Sequence, residues 1–416
     1  MPEKFALAGL LILLASCTKV AVSLPESSDP VGLWRATLEL PGGETPFGLE
    51  LQRSADLKLT GYLINGPERL KVTNIQVESN RLELTMPGFQ NKLVGMVSGD
   101  ELKGEVVMVR PRGELQRIPL QAQRGLSHRF FRSPLQDNAR VSGRWSVVFR
   151  ESNGKTYPAV GEFAQQGSAV AGTFLTPTGD HRYLAGEVRG QELYLSSFDG
   201  GHAFLYRASF KNSSRLEGSF WSGLHSLETF TAVRNDAATL GNAEQVTQMQ
   251  KPGARLDFQF PDLDGKMVSL ADERFRGKAL IVTLAGSWCP NCHDEAAFLA
   301  PLYRQWRDQG LEIVSLMFER FGDLPQAASA TRAFRQEFAI EYTTLIAGIS
   351  AKDDAAAKLP QLNGVFAFPT TVFVGRDGHV RSIHTGFSGP ATGSHYEVLQ
   401  RDFKSRVAKL LSEPQS

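Results

Sequence analysis

The chain repeats itself. "VGLWRATLEL" from Val31 returns as "VSGRWSVVF" from Val141, which sets Trp34 against Trp145. "LTGYL" returns as "VAGTF", pairing Gly61 with Gly172, while "RLELT" answers "ELYLS" and "ELKGEV" answers "RLEGSF". The offset stays near about 111 residues and drifts by about three, the size of one loop insertion. Within each copy, short runs alternate apolar and polar residues between Gly, Pro, Asn and Asp turn signals, and helical periodicity is absent. Each copy supplies about eight strands, a number at which an antiparallel sheet can close on itself and lose its edges. The reading is two consecutive all-β, antiparallel barrel-like units, or one double sandwich. The first spans 28–124 and the second 139–235, with a basic, polar boundary from Gln123 to Arg140.

A chain of 416 residues is long for one hydrophobic core, and further units are expected beyond the repeats. Lys and Arg number 45 against 44 Asp and Glu. No basic stripe with interleaved aromatics stands out, so no nucleic-acid partner is expected. At the start, Met1 and Lys4 precede the apolar run "FALAGLLILLA", which is too short to span a bilayer. It ends in "LASC", which resembles a bacterial lipobox, so 1–17 read as a lipoprotein signal peptide. That resemblance implies acylation of Cys17 and anchoring to a lipid bilayer. The chain has three cysteines, and setting Cys17 aside leaves Cys289 and Cys292 alone in the mature protein.

After a polar linker over 236–252 the pattern changes. "ALIVTLAG" is a buried strand, a helical span runs from Pro290 to Asp308, and "LEIVSLMF" is a second strand. "AASATRAFRQEF" is a helix, "TTVFVG" and "HVRSIHTGF" form a hairpin, and the tail from Ser394 is a final helix. This is the pattern of an α/β unit over 253–416.

Its chemistry sits in "AGSWCPNCHDE". A zinc clip would need four ligands, and no second CxxC or H-x-x-x-H follows. A purely structural bridge would close a very short loop and constrain the unfolded chain little. A working dithiol fits better. With Pro290 at the first helical position, Cys289 becomes the N-cap and Cys292 lies one turn along the same face. The helix's positive end and free N–H groups favour a thiolate on Cys289, read as the exposed nucleophile, with Cys292 as the more buried resolving thiol. Glu295, three residues on, is either a proton carrier for Cys292 or a solvated first-turn Glu. Pro369 in "FPTT" either opens a strand or is a cis-proline lining a site.

Together, "WCPNC", "FPTT", "IHTGFSGPATG" and the order of elements resemble the thioredoxin fold, and more narrowly the TlpA/ResA-like envelope thiol–disulfide oxidoreductases. The resemblance covers 253–413. It implies attack by Cys289, resolution by Cys292, proton handling by Glu295, and a cis-Pro369 opposite the dithiol whose neighbouring backbone holds a substrate chain. Trp288, Phe368, Gly386 and Phe387 would line the groove. In thioredoxin a buried Asp lies six residues before the first cysteine; Thr283 stands there, so proton handling falls to Glu295. The same resemblance implies disulfides of exported proteins as substrates and a membrane thiol-transfer protein as electron donor. It also implies no cofactor beyond the Cys289–Cys292 disulfide, no metal, and a place in the bacterial envelope facing the periplasm.

Two other functions compete with this one. Peroxiredoxins share the fold, but their P-x-x-x-T/S-x-x-C pattern would need Pro and Thr or Ser where Val282 and Gly286 stand. A binding lipoprotein with a secondary redox unit is the other. For it, Asp180, His181, Tyr183, Asp199 and His202, which lack counterparts in the first repeat, are either a ligand site or turn and barrel-mouth residues. His379, His384 and His395 read as hairpin and loop residues.

Overall fold

The computed structural model describes residues 29–414 apart from 73, 134 and 136. The lipobox and Cys17 lie outside the described residues. The chain is mostly β, with two barrel-like antiparallel sheets followed by a thioredoxin-like unit.

Both repeats form nine strands each, and they correspond element by element. In the second, Thr156–Gln166 pairs with Ala169–Thr176, which also pairs with Leu184–Arg189. That double pairing closes eight strands into a barrel, and the two-residue strand Gly179–Asp180 is added on Ala169–Thr176. In the first repeat the matching strand, Leu59–Asn65, pairs onward with Glu68–Val72 instead. Asn74–Glu78 then lies at the opposite end of the sheet, so among the described residues this barrel keeps a seam. The fourth strand in each copy, Glu68–Val72 and Gly179–Asp180, has only five and two residues, which is why turn signals in the sequence point to eight.

Period-two burial explains the barrels. Gly32–Leu40 points Trp34, Ala36, Leu38 and Leu40 inward, and Gly143–Arg150 does the same with Trp145, Val147 and Phe149. The repeated tryptophans are built alike. Trp34 Nε1 donates to the Pro30 carbonyl and Trp145 Nε1 to the Val141 carbonyl, both at 2.8 Å. Arg124 and Arg234 cover the rings at 4.5 and 4.4 Å. Truncating a fully buried indole leaves a cavity and strands an arginine. Trp145→Ala is therefore expected to lower unfolding stability by about 3–5 kcal/mol in a urea titration. A loss below about 1 kcal/mol would mean the barrel does not depend on this ring.

The last unit has a five-stranded sheet in the order Thr343–Ile349, Leu311–Glu319, Ala279–Ala285, Thr370–Val374, Val380–Thr385. The first three run parallel, Thr370–Val374 is antiparallel to the central Ala279–Ala285, and Val380–Thr385 is antiparallel to Thr370–Val374 in turn. Ala279–Ala285 is buried at every position, as a central strand covered on both faces must be. Helices α1 (Pro290–Trp306), α2 (Leu324–Glu337), α3 (Lys352–Lys358) and α4 (Ser394–Leu411) complete it. Sequence reading missed the edge strand Thr343–Ile349 and α3. The strand's burial is irregular, and α3 has seven residues without a side-chain cap. His395, read as a loop residue, lies in the first turn of α4 and pairs with Glu162 of the second barrel at 2.9 Å. Among the described residues no helix is long and apolar enough to cross a membrane.

Candidate active site

The central strand Ala279–Ala285 delivers the chain through Gly286–Trp288 to Cys289, which caps α1. Pro290 takes the first helical position, where its missing N–H costs nothing. Cys289 Sγ accepts from the Cys292 N–H at 3.4 Å, as an N-cap side chain should, and donates to the Phe368 carbonyl at 3.2 Å. Both cysteines are free thiols. Cys292 is 1% exposed, and burial, then the neighbouring Cys289 sulfur, pushes its thiol well above the ordinary range.

Glu295 lies one turn deeper on the same face and is fully buried. Burial raises its carboxyl to about 7, against the hydrogen bonds that Thr283 Oγ1 (2.5 Å) and Thr371 Oγ1 donate to it. The open choice for Glu295 is thus resolved away from a solvated first-turn residue. Thr283 acts as a donor to the carboxylate. A second buried carboxylate, Glu319, was not singled out in the sequence. It accepts from Ser287 N (3.0 Å) and Ser287 Oγ (2.7 Å) and so fixes the turn ahead of Cys289.

The Phe368–Pro369 peptide is cis. The Phe368 ring meets Trp288 edge-on at 5.6 Å, and Gly386 N donates to the Pro369 carbonyl at 2.9 Å. Trp288 Nε1 donates to the Phe318 carbonyl, and Arg320 lies over the indole at 4.5 Å. Phe387 departs from its expected place. Its ring is buried among Phe298, Tyr396 and Phe403, because an apolar ring this close to the core gains more there. Only its backbone carbonyl faces the site, accepting from Asn291 Nδ2 at 3.4 Å.

Cys289 is also corrected: it is 5% exposed, not an open nucleophile. The barrels dock on the face that carries the cysteines. Arg182 of the second barrel donates to the Pro290 carbonyl at 2.9 Å and pairs with Asp294 of α1 (2.9 Å), Glu68 of the first barrel (2.8 Å) and Asp199 (3.3 Å). Asn291 donates to the Asp180 carbonyl at 3.2 Å, and Phe89 stacks on His293 at 4.0 Å between centroids. Asp180 and Asp199 thus belong to this junction. His181 lies instead in the second barrel, half-buried, stacked on Phe220 and bonded to Tyr206. His202 binds Asp199, and Tyr183 is half-buried. Among the described residues no group of three or more His, Cys, Asp or Glu side chains could hold a metal ion.

Residues 253–383 match the AhpC/TSA family. A thiol–disulfide oxidoreductase ResA from Bacillus thuringiensis subsp. konkukian is 27% identical over 124 residues, which is 30% of this chain and 63% of that protein. The ResA of Geobacillus thermodenitrificans is 27% identical over 130 residues, 31% and 66% of the two chains. The chain thus spans a little under two thirds of the relatives it matches. A thiol:disulfide interchange protein of the thioredoxin family from Chlorobium tepidum TLS superposes on 40% of the chain and all of its own, at 21% identity and a TM-score of 0.30. The C-terminal unit of this chain is thus a thioredoxin-fold domain of the AhpC/TSA type, similar in sequence to the ResA thiol–disulfide oxidoreductases.

Proposed function

We propose that the protein is a thiol–disulfide oxidoreductase of the bacterial envelope that reduces disulfides in exported proteins. The observation that carries this reading is one column of groups: Cys289 capping α1, Cys292 a turn below, and the buried Glu295 beneath it. The Cys289 thiolate attacks a substrate disulfide, forms a mixed disulfide and releases one substrate thiolate. Glu295 takes the Cys292 proton; Cys292 then attacks the Cys289 sulfur and releases the second substrate thiol. The electron pair comes from the dithiol, which ends as the Cys289–Cys292 disulfide and is restored by a membrane thiol-transfer donor. The disulfide itself is the redox group, so no further cofactor is needed. Acylation at Cys17 holds the protein at the bilayer, facing the periplasm, and the similarity to the ResA thiol–disulfide oxidoreductases supports the chemistry.

The test is trapping. In Cys292→Ala the mixed disulfide at Cys289 cannot be resolved and should accumulate, visible by mass spectrometry after thiol quenching. Equal, slow modification of both sulfurs in the unaltered protein would overturn the assignment.

A further inference from the structure

The barrels do more than sit beside the dithiol. Gly386 lies on one side of the groove, with a left-handed φ of 79°, and a Cβ placed on it would fall 2.7 Å from the Thr178 carbonyl carbon and 2.9 Å from Gly179 N. The barrel backbone therefore rests directly on the bare glycine. From there the segment crosses to α1, where Asn291 holds the Asp180 carbonyl. The Asp180 carboxylate accepts from Gly389 N at 2.5 Å, which pins the segment to the 386–389 loop as well. Its end is clamped by Arg182, whose guanidinium joins carboxylates from all three units of the chain. Arg182 holds a left-handed backbone at φ 53°, a costly conformation for a long side chain that persists only where surroundings enforce it.

We infer that the segment Thr176–Arg182 is a specificity element that occupies the place of a substrate chain, so that polypeptides reach Cys289 only when it lifts. The inference rests on the oxidoreductase reading above and adds which substrates meet a barrier. An extended chain docking beside Pro369 needs the strip between Gly386 and α1 that Thr178–Asp180 fills. What remains beside Trp288 is a cavity of about 190 Å³, walled by Arg110, Gly201, His202 and Arg320. Arg320 is near enough to Cys289 for the sulfur's charge to act on it. Cys289 does not itself line this space, which is large enough for a small disulfide and too small for a polypeptide.

Two measurements on the full chain test this. The first compares labelling of Cys289 by N-ethylmaleimide and by a polyethylene-glycol maleimide, located by mass spectrometry. Relative to the denatured chain, the native protein should disfavour the polymer by at least about tenfold, since only the lifted fraction reacts with it. The second compares reduction of insulin with that of hydroxyethyl disulfide, in the unaltered protein and in Arg182→Met. The insulin-to-small-disulfide ratio should rise at least about tenfold in the variant. An unchanged ratio, or native labelling with no size dependence, overturns the inference. Should Arg182→Met fail to fold, the labelling of the unaltered protein still decides. If neither disulfide is reduced by either protein, the oxidoreductase reading fails, while the labelling result continues to judge the segment on its own.

Discussion

Cys289→Ser reduces disulfide exchange by roughly 10³-fold or more, to the uncatalysed background. A hydroxyl at the tip of α1 can accept the Cys292 N–H and donate to the Phe368 carbonyl as the thiol does. It cannot form and break a sulfur–sulfur bond. The swap is nearly isosteric, so unfolding stability should move by less than about 1.5 kcal/mol. Rates with hydroxyethyl disulfide and a urea titration together check this. Residual exchange within about tenfold of the unaltered protein would show that another group carries the chemistry.

Glu295→Gln separates the proton from the sulfur. Burial raises the Glu295 carboxyl from the usual 4.5 to about 7, so it is neutral in the folded protein over a range where the unfolded chain has already ionised. A raised carboxyl favours the folded state at low pH, and that contribution is lost as pH climbs from 4.5 through 7. The loss amounts to about 3 kcal/mol. Glutamine cannot ionise, so the variant should be the more stable protein at pH 8 by up to about 3 kcal/mol, and the two should converge near pH 4.5. Activity should move the other way. Without a base for Cys292, resolution slows by roughly 10²-fold, and the rise in rate through pH 7 disappears. Asp294, also raised to about 7 by burial, is present in both proteins and cancels in the comparison. Urea titrations at the two pH values and a pH–rate profile read both halves. A variant less stable at pH 8 than the unaltered protein would show that Glu295 holds the fold rather than the proton.

The local parts of this site are legible in the sequence because local rules place them. Pro290 marks the start of α1, spacing puts Cys289, Cys292 and Glu295 on one face, and the apolar run "ALIVTLAG" announces the strand that aims them. The repeats are legible for the same reason, since alternation and turn residues recur with Trp34 and Trp145. What sequence does not display is docking. Arg182 reaches the Pro290 carbonyl across 108 residues and Glu68 across 114, and no periodicity records such a meeting. In the sequence Arg182 is one charged residue beside a turn, and nothing local marks its burial among carboxylates. The exposure expected of Cys289 failed where the barrels pack on the residues beside it: Gly201 against Pro290, Asp180 against Asn291 and Phe89 against His293. Phe387 failed differently, because groove and core are one residue apart at Gly386 and the ring turned inward.

The account stands on reversible, paired oxidation of Cys289 and Cys292, and equilibration in glutathione redox buffers tests it most directly. Quenched samples should show both sulfurs converting together in a single two-electron step, with a midpoint more reducing than about −200 mV, as a reductase requires. Independent modification of the two sulfurs, or a midpoint near the strongly oxidising −120 mV or so of a disulfide donor, would contradict it.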